Sequence, residues 1–191
     1  PAALSQSFMR EGMFSYHKPY LGMDGVKLGM GYLSFTYPLQ GIANFGIGYT
    51  MLSNSSLYKE NTYRLTAARE LSEFIPALGT MQLAAGLSVK YMSHEYSWDS
   101  EIKNLDDPVV NAGTSAGALT ADLGILFQPV YKIPVGISVK NIIPADVGLY
   151  YEDIVPMEAE AGAAYRLGTI GKFEEITPEI KIGYRNQDWG K

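Results

Sequence analysis

Glu158 and Glu160 are two carboxylates spaced two residues apart in "MEAEAGAAY". On a strand that spacing puts both on one face. Paired carboxylates can hydrolyse glycosides, but that chemistry needs a carbohydrate cleft. Ion pairing with Lys140 and Arg185 is the simpler use of the two charges. His17 and His94 are the only histidines. They lie far apart and outside any zinc-binding spacing, so they read as surface or rim residues. Ser53, Ser55 and Ser56 lack the G-x-S-x-G elbow of a serine nucleophile. "GMDGVKLGMG" is glycine-rich but lacks the P-loop lysine and hydroxyl; it reads as a turn entering a strand. Asp99, Glu101, Asp106 and Asp107 crowd one long loop. A calcium ion wants roughly six to eight oxygens, and the spacing is not that of an EF-hand, so a solvated acidic loop is expected. No catalytic group, metal site or cofactor is expected, and the chain reads as non-enzymatic.

Those side chains must be positioned by strands. In "ANFGIGYTML", Phe45, Ile47, Tyr49 and Met51 alternate with Asn44, Gly46, Gly48 and Thr50. A period of two marks a strand with one bulky and one sparse face. The pattern recurs and predicts nine strands, over residues 8–17, 25–37, 42–53, 60–70, 80–94, 117–128, 133–142, 157–168 and 175–186. In the fifth, Leu83, Ala85, Leu87, Val89 and Tyr91 oppose Ala84, Gly86, Ser88 and Lys90. The second strand changes phase near Tyr32–Leu33, as at a bulge. "YRLTAARELSEF" holds good helix formers; Tyr63–Ala67 is read as strand, with a helical turn after it.

The connections fall into two classes. "PLQG" and "PVYK" are short, whereas Glu95–Ala116 and "IIPADVGLYYEDIVP" are long. Short turns at one end and long loops at the other are the pattern of an up-and-down barrel in an outer membrane. The sparse face is rich in glycine and alanine, which suits a crowded interior. Tyr16, Tyr49, Tyr91, Tyr96, Trp98, Tyr184 and Trp189 fall toward the long-loop end. Tyr37, Phe74, Phe127, Tyr131, Tyr165 and Phe173 fall toward the other. Two aromatic girdles at the membrane interfaces would account for them. The fold expected is therefore all-β: an antiparallel up-and-down transmembrane β-barrel, one domain over residues 1–191. The alternative is a soluble β-barrel or β-sandwich that binds a small apolar ligand in its interior.

Composition narrows the partners. The 191-residue chain has a formal net charge of −5 and no basic tract, so nucleic acid is not an expected partner. Without cysteine there is no disulfide framework and no thiolate chemistry. Fourteen tyrosines and twenty glycines suit strands with aromatic edges and close backbones. No apolar run approaches the roughly 20 residues of a membrane helix.

Centring each strand pair on its loop places Lys90 beside Asp122, Lys140 near the level of Asp122, Glu158 across from Lys140, and Arg185 across from Glu158. The signs alternate across five strands. Facing a lumen of low dielectric, such charges need opposite neighbours, so an ion-pair ladder is expected there.

Several stretches resemble the PorV/PorQ-type outer-membrane proteins, relatives of the FadL-type hydrophobic-compound transporters. "PAAL" at Pro1–Leu4 resembles their Asn-Pro-Ala-x-Leu motif without its Asn. "YRLTAAREL" at Tyr63–Leu71, "LAAGLSVKYM" at Leu83–Met92, "ADLGILFQP" at Ala121–Pro129 and "VGISVKNI" at Val135–Ile142 match in order and spacing. The resemblance implies a bacterial outer-membrane barrel of about fourteen strands. Nine strands, with neither signal peptide nor Asn, would then be part of a longer chain continuing past Lys191. It also implies outer-membrane lipid as surroundings. The implied role is uptake of a hydrophobic compound, or service as a scaffold or shuttle for secreted surface proteins.

Overall fold

The computed structural model describes residues 1–19, 28–39, 41–54, 57–98, 107–170 and 173–186. Alternation dominates throughout. The chain forms β1 (Glu11–His17), β2 (Leu28–Leu39), β3 (Ala43–Asn54), β4 (Tyr58–Glu70), β5 (Gln82–Tyr96), β6 (Ser115–Val130) and β7 (Ile133–Lys140). Then follow β8 (Ala145–Asp146), β9 (Ile154–Val155), β10 (Glu158–Ala164), β11 (Gly168–Ile170), β12 (Phe173–Ile176) and β13 (Glu179–Arg185). Nine of these make one antiparallel sheet in the order β1-β2-β3-β4-β5-β6-β7-β10-β13; β8-β9 and β11-β12 are separate two-stranded hairpins.

The sheet is open. β1 and β13 are its two edges and do not pair with each other among the described residues. The expected closed transmembrane barrel is therefore corrected to an open antiparallel sheet. Alternation and loop length fix which strands are neighbours, but neither contains the stagger that decides whether a sheet closes. Among the described residues, the main sheet is packed by an amino-terminal segment and a loop.

Smaller expectations also change. The ladder between β2 and its neighbours runs without a register shift, so no bulge sits at Tyr32–Leu33. A shift does occur between Phe127 and Val130, where Pro129 cannot donate to the ladder. β4 runs through the helix-forming Ala67, Ala68, Arg69 and Glu70, because the β5 ladder extends over all four and the β3 ladder over the first two. The helical turns come later, as 3-10 segments at Ser72–Phe74 and Pro76–Leu78. The loop after β7 folds into the β8-β9 hairpin.

The two faces differ sharply. Phe35, Ile47, Leu65, Leu87, Val89, Leu123, Ile125, Ile137 and Ile182 are exposed on the outer face, Ile182 by 72%. The inner face carries the buried residues Ala68, Ala84, Ser88, Lys90, Thr120 and Asp122. Two pieces of chain cover them: a 3-10 turn at Ala2–Gln6 and the segment 141–156, which buries Ala145 and Val147. Some of the aromatics expected in girdles make ring contacts across strands. Tyr49, Tyr63 and Tyr91 lie in one row, with ring centroids 5.0 and 6.5 Å apart.

Candidate functional site

The amino-terminal segment owes its seat to a row of small residues. Asn44 pairs with Ala68, Ala68 with Gly86, Gly86 with Gly124, and Gly124 with Ser138, so the row crosses five strands. A Cβ on Gly86 would stand 2.6 Å from the Ala2 nitrogen, and one on Gly124 would stand 3.0 Å from Pro1 Cδ. Only glycine lets backbone lie this close to backbone. At the end of the row, the Asn44 side-chain amide donates to the carbonyls of Leu4, Ser5 and Ser7 at 2.8, 3.1 and 2.8 Å.

Five charges were expected to form a ladder, and the structure arranges them as two groups. Lys90 Nζ lies 2.6 Å from Asp122 Oδ1, with both side chains 7% exposed. Their strands pair Ser88 with Asp122 and Lys90 with Thr120, so the contact is diagonal. Lys140 does not continue the series to Asp122. Asn141 does: its backbone N–H donates to Asp122 Oδ1 at 3.0 Å, while its Oδ1 accepts from Lys90 Nζ at 2.6 Å. Its side-chain amide donates to the Pro156 carbonyl at 2.9 Å. Asn141 takes φ +55°, which asparagine tolerates better than most residues. Thr120 Oγ1 donates to the Ile143 carbonyl at 2.8 Å, so segment 141–156 is fastened at both Asp122 and Thr120.

The second group spans β7, β10 and β13. Glu158 sits in register between Lys140 and Arg185, at 3.5 and 3.3 Å. Glu160 accepts from Lys181 at 2.8 Å and Lys140 at 3.1 Å. The hydrogen bond from Lys181, followed by that from Lys140, holds the Glu160 carboxyl below the usual glutamate range. Burial lowers the Lys140 ammonium, but its bonds and charges toward Glu160 and Glu158 together outweigh that and raise it. The paired carboxylates are thus engaged by cations rather than poised as acid and base.

Beside the amino-terminal segment lies a cleft of about 350 Å³. Its floor includes Gly136, Ser138, Gly162 and Ala164, with Glu160 and Lys181 among the polar groups lining it. A Cβ on Gly136 would meet nothing within 4 Å, so the cleft is open above it. A second hollow of similar size lies near Phe8, Gln82, Gln128 and Arg166.

The other candidates disperse. His17 is on the exposed edge strand β1, whereas the His94 ring meets Tyr58 edge-on at 5.6 Å. Ser53 is a ladder residue in β3. Ser55, Ser56, Asp99, Glu101, Asp106 and Trp189 lie outside the described residues, as does much of "GMDGVKLGMG". The calcium question at the long loop therefore falls there too. Asp107 is described: its carboxylate accepts from the Val109 N–H at 2.8 Å and caps the short helix Pro108–Ala112. Among the described residues no group of three or more His, Asp or Glu is placed to hold a metal.

Asn44, Asn141 and Lys181 were missed as site residues. The signal for Asn44 was available, since the hairpin registers line it up with Gly86 and Gly124. Asn141 gave none, because its role depends on a left-handed backbone after the strand ends.

The chain matches no family model, no characterised protein and no solved structure. The resemblance to PorV/PorQ-type and FadL-type proteins is therefore not sustained. Its motifs are short, and strands alternating apolar with small residues generate such matches without common descent. The outer-membrane location, and the roles in hydrophobic-compound uptake or as a scaffold for surface proteins, rested on that resemblance and on barrel closure. They fall with both.

Proposed function

We propose that the chain is a non-enzymatic binding protein whose ligand is small and largely apolar, held on the inner face beside the amino-terminal segment. The observation that carries this reading is the cleft of about 350 Å³ with glycine, alanine and serine on its floor. That volume is at the lower end for small-molecule pockets, which are mostly apolar with a few placed polar groups. Glu160 and Lys181 supply such groups at the wall, already neutralised by each other.

The test fills the cleft. Gly136→Phe adds a ring where no atom lies within 4 Å of the new Cβ, so the sheet accepts it. Binding of the neutral fluorophore N-phenylnaphthylamine is then titrated against the unaltered chain. The expected result is a loss of at least about tenfold in affinity. Ile47→Ser, on the outer face, controls for dye adsorbed there and is expected to retain the tight component. Unchanged affinity in Gly136→Phe would refute the reading.

A further inference from the structure

The β13 edge carries a symmetry that nothing above uses. Its sequence is Glu179-Ile180-Lys181-Ile182-Gly183-Tyr184-Arg185. Turned antiparallel on itself about Ile182, it opposes Glu179 with Arg185, Ile180 with Tyr184, Lys181 with Gly183, and Ile182 with Ile182. Opposite charges meet, apolar residues meet, and the long lysine faces a residue with no side chain.

The backbone agrees with that register. The Asn186 N–H donates to the Met157 carbonyl, and the Pro178 carbonyl accepts from the Tyr165 N–H. Even-numbered residues thus point their backbone groups at β10. Residues 179, 181, 183 and 185 point theirs at the outer edge, which pairs with no other strand among the described residues. In the self-paired register these odd residues oppose one another, so every outward N–H meets an outward carbonyl. The strand is regular through all seven of its pairs with β10, without a bulge or proline to blunt it. β1 is the weaker candidate, since self-pairing about Phe14 would set Glu11 against His17, a charge pair only when the imidazole is protonated.

We propose that β13 is an association edge for a second copy of this chain. The two β13 strands pair antiparallel about Ile182, joining two nine-stranded sheets into one continuous sheet. The apolar outer face, including Ile180, Ile182 and Tyr184, then runs on across the two-fold axis.

The chain has no cysteine, so single introduced thiols report the register cleanly. Ile182 would face itself in a non-hydrogen-bonded pair, with Cα atoms about 4.5 Å apart, within the roughly 4.4–6.8 Å that a disulfide spans. Ile182→Cys is expected to give a covalent dimer on mild oxidation of the full chain. Ile180→Cys and Tyr184→Cys are each expected to stay monomeric alone and to crosslink when mixed. All three positions are exposed, so the interior is untouched. Adding Gly183→Pro to Ile182→Cys removes one outward donor, leaves the bonds to β10, and is expected to abolish the crosslink. Adding Glu179→Lys sets a cation against Arg185 of the second copy and is expected to reduce it severalfold. The proposal is overturned if Ile182→Cys fails to crosslink. It is equally overturned if the 180 and 184 variants crosslink alone as readily, or if Gly183→Pro has no effect.

Discussion

Lys90 and Asp122 form the most deeply buried ion pair among the described residues. Each is almost wholly removed from water, and Asn141 completes their bonding. Removing one partner strands the other charge in a poorly solvated site. Lys90→Met is expected to cost about 3–5 kcal/mol of unfolding free energy, read from urea denaturation. Adding Asp122→Leu should return part of that loss, because the stranded carboxylate is gone. Glu160 makes a different case. Its folded pKa is depressed, so its stabilisation is complete above the ordinary glutamate range. It is lost as pH falls through the lower folded value. The expected outcome is a difference in urea midpoint between the wild type and Glu160→Gln at neutral pH that shrinks as the pH falls below the ordinary glutamate range. These groups were partly legible. Glu158 opposite Lys140 and Arg185 follows from counting outward from the turns. The turn of Asn141 into the space beside Asp122 does not, because it begins where the two-residue period stops.

At the level of elements, the amino-terminal segment and the floor beneath it form a matched set. Gly86→Ala drives a methyl to within 3 Å of Ala2 backbone atoms, which cannot move aside as a flexible side chain would. Displacement of the segment is expected at a cost of about 1–3 kcal/mol. Gly136→Ala, with open space above it, should be close to neutral. Limited proteolysis separates the two, with cleavage around residues 3–8 accelerated only in the first. The strands themselves were readable because Phe45 and Ile47, or Leu87 and Val89, alternate with small neighbours. The seating of Pro1–Gln6 was not, since a 3-10 turn of five residues has no periodicity to detect. Its position is written in the glycines of other strands.

At the scale of the whole molecule, the usual distribution is reversed among the described residues: small and polar groups fill the covered side, and bulky hydrocarbon stands outside. Contiguous exposed apolar side chains of this kind are the usual mark of an interaction surface. Pairing through β13 would extend that surface rather than cover it. Strand order was recoverable from the sequence, because each strand of the main sheet as far as β7 neighbours the one before it. Openness was not, since it depends on accumulated stagger and twist that side-chain type does not encode.

The glycine trough also sets a timetable. The meander can assemble from hairpin to hairpin through contacts between successive stretches of chain, which are quick to find. Residues 1–6 have no such neighbour to wait on; Leu4 reaches Asn44 forty positions away, and Pro1 stands over Gly124 on a strand later still. Their seat does not exist until β3 through β6 are side by side. The segment before β1 thus settles only after four later strands have come together.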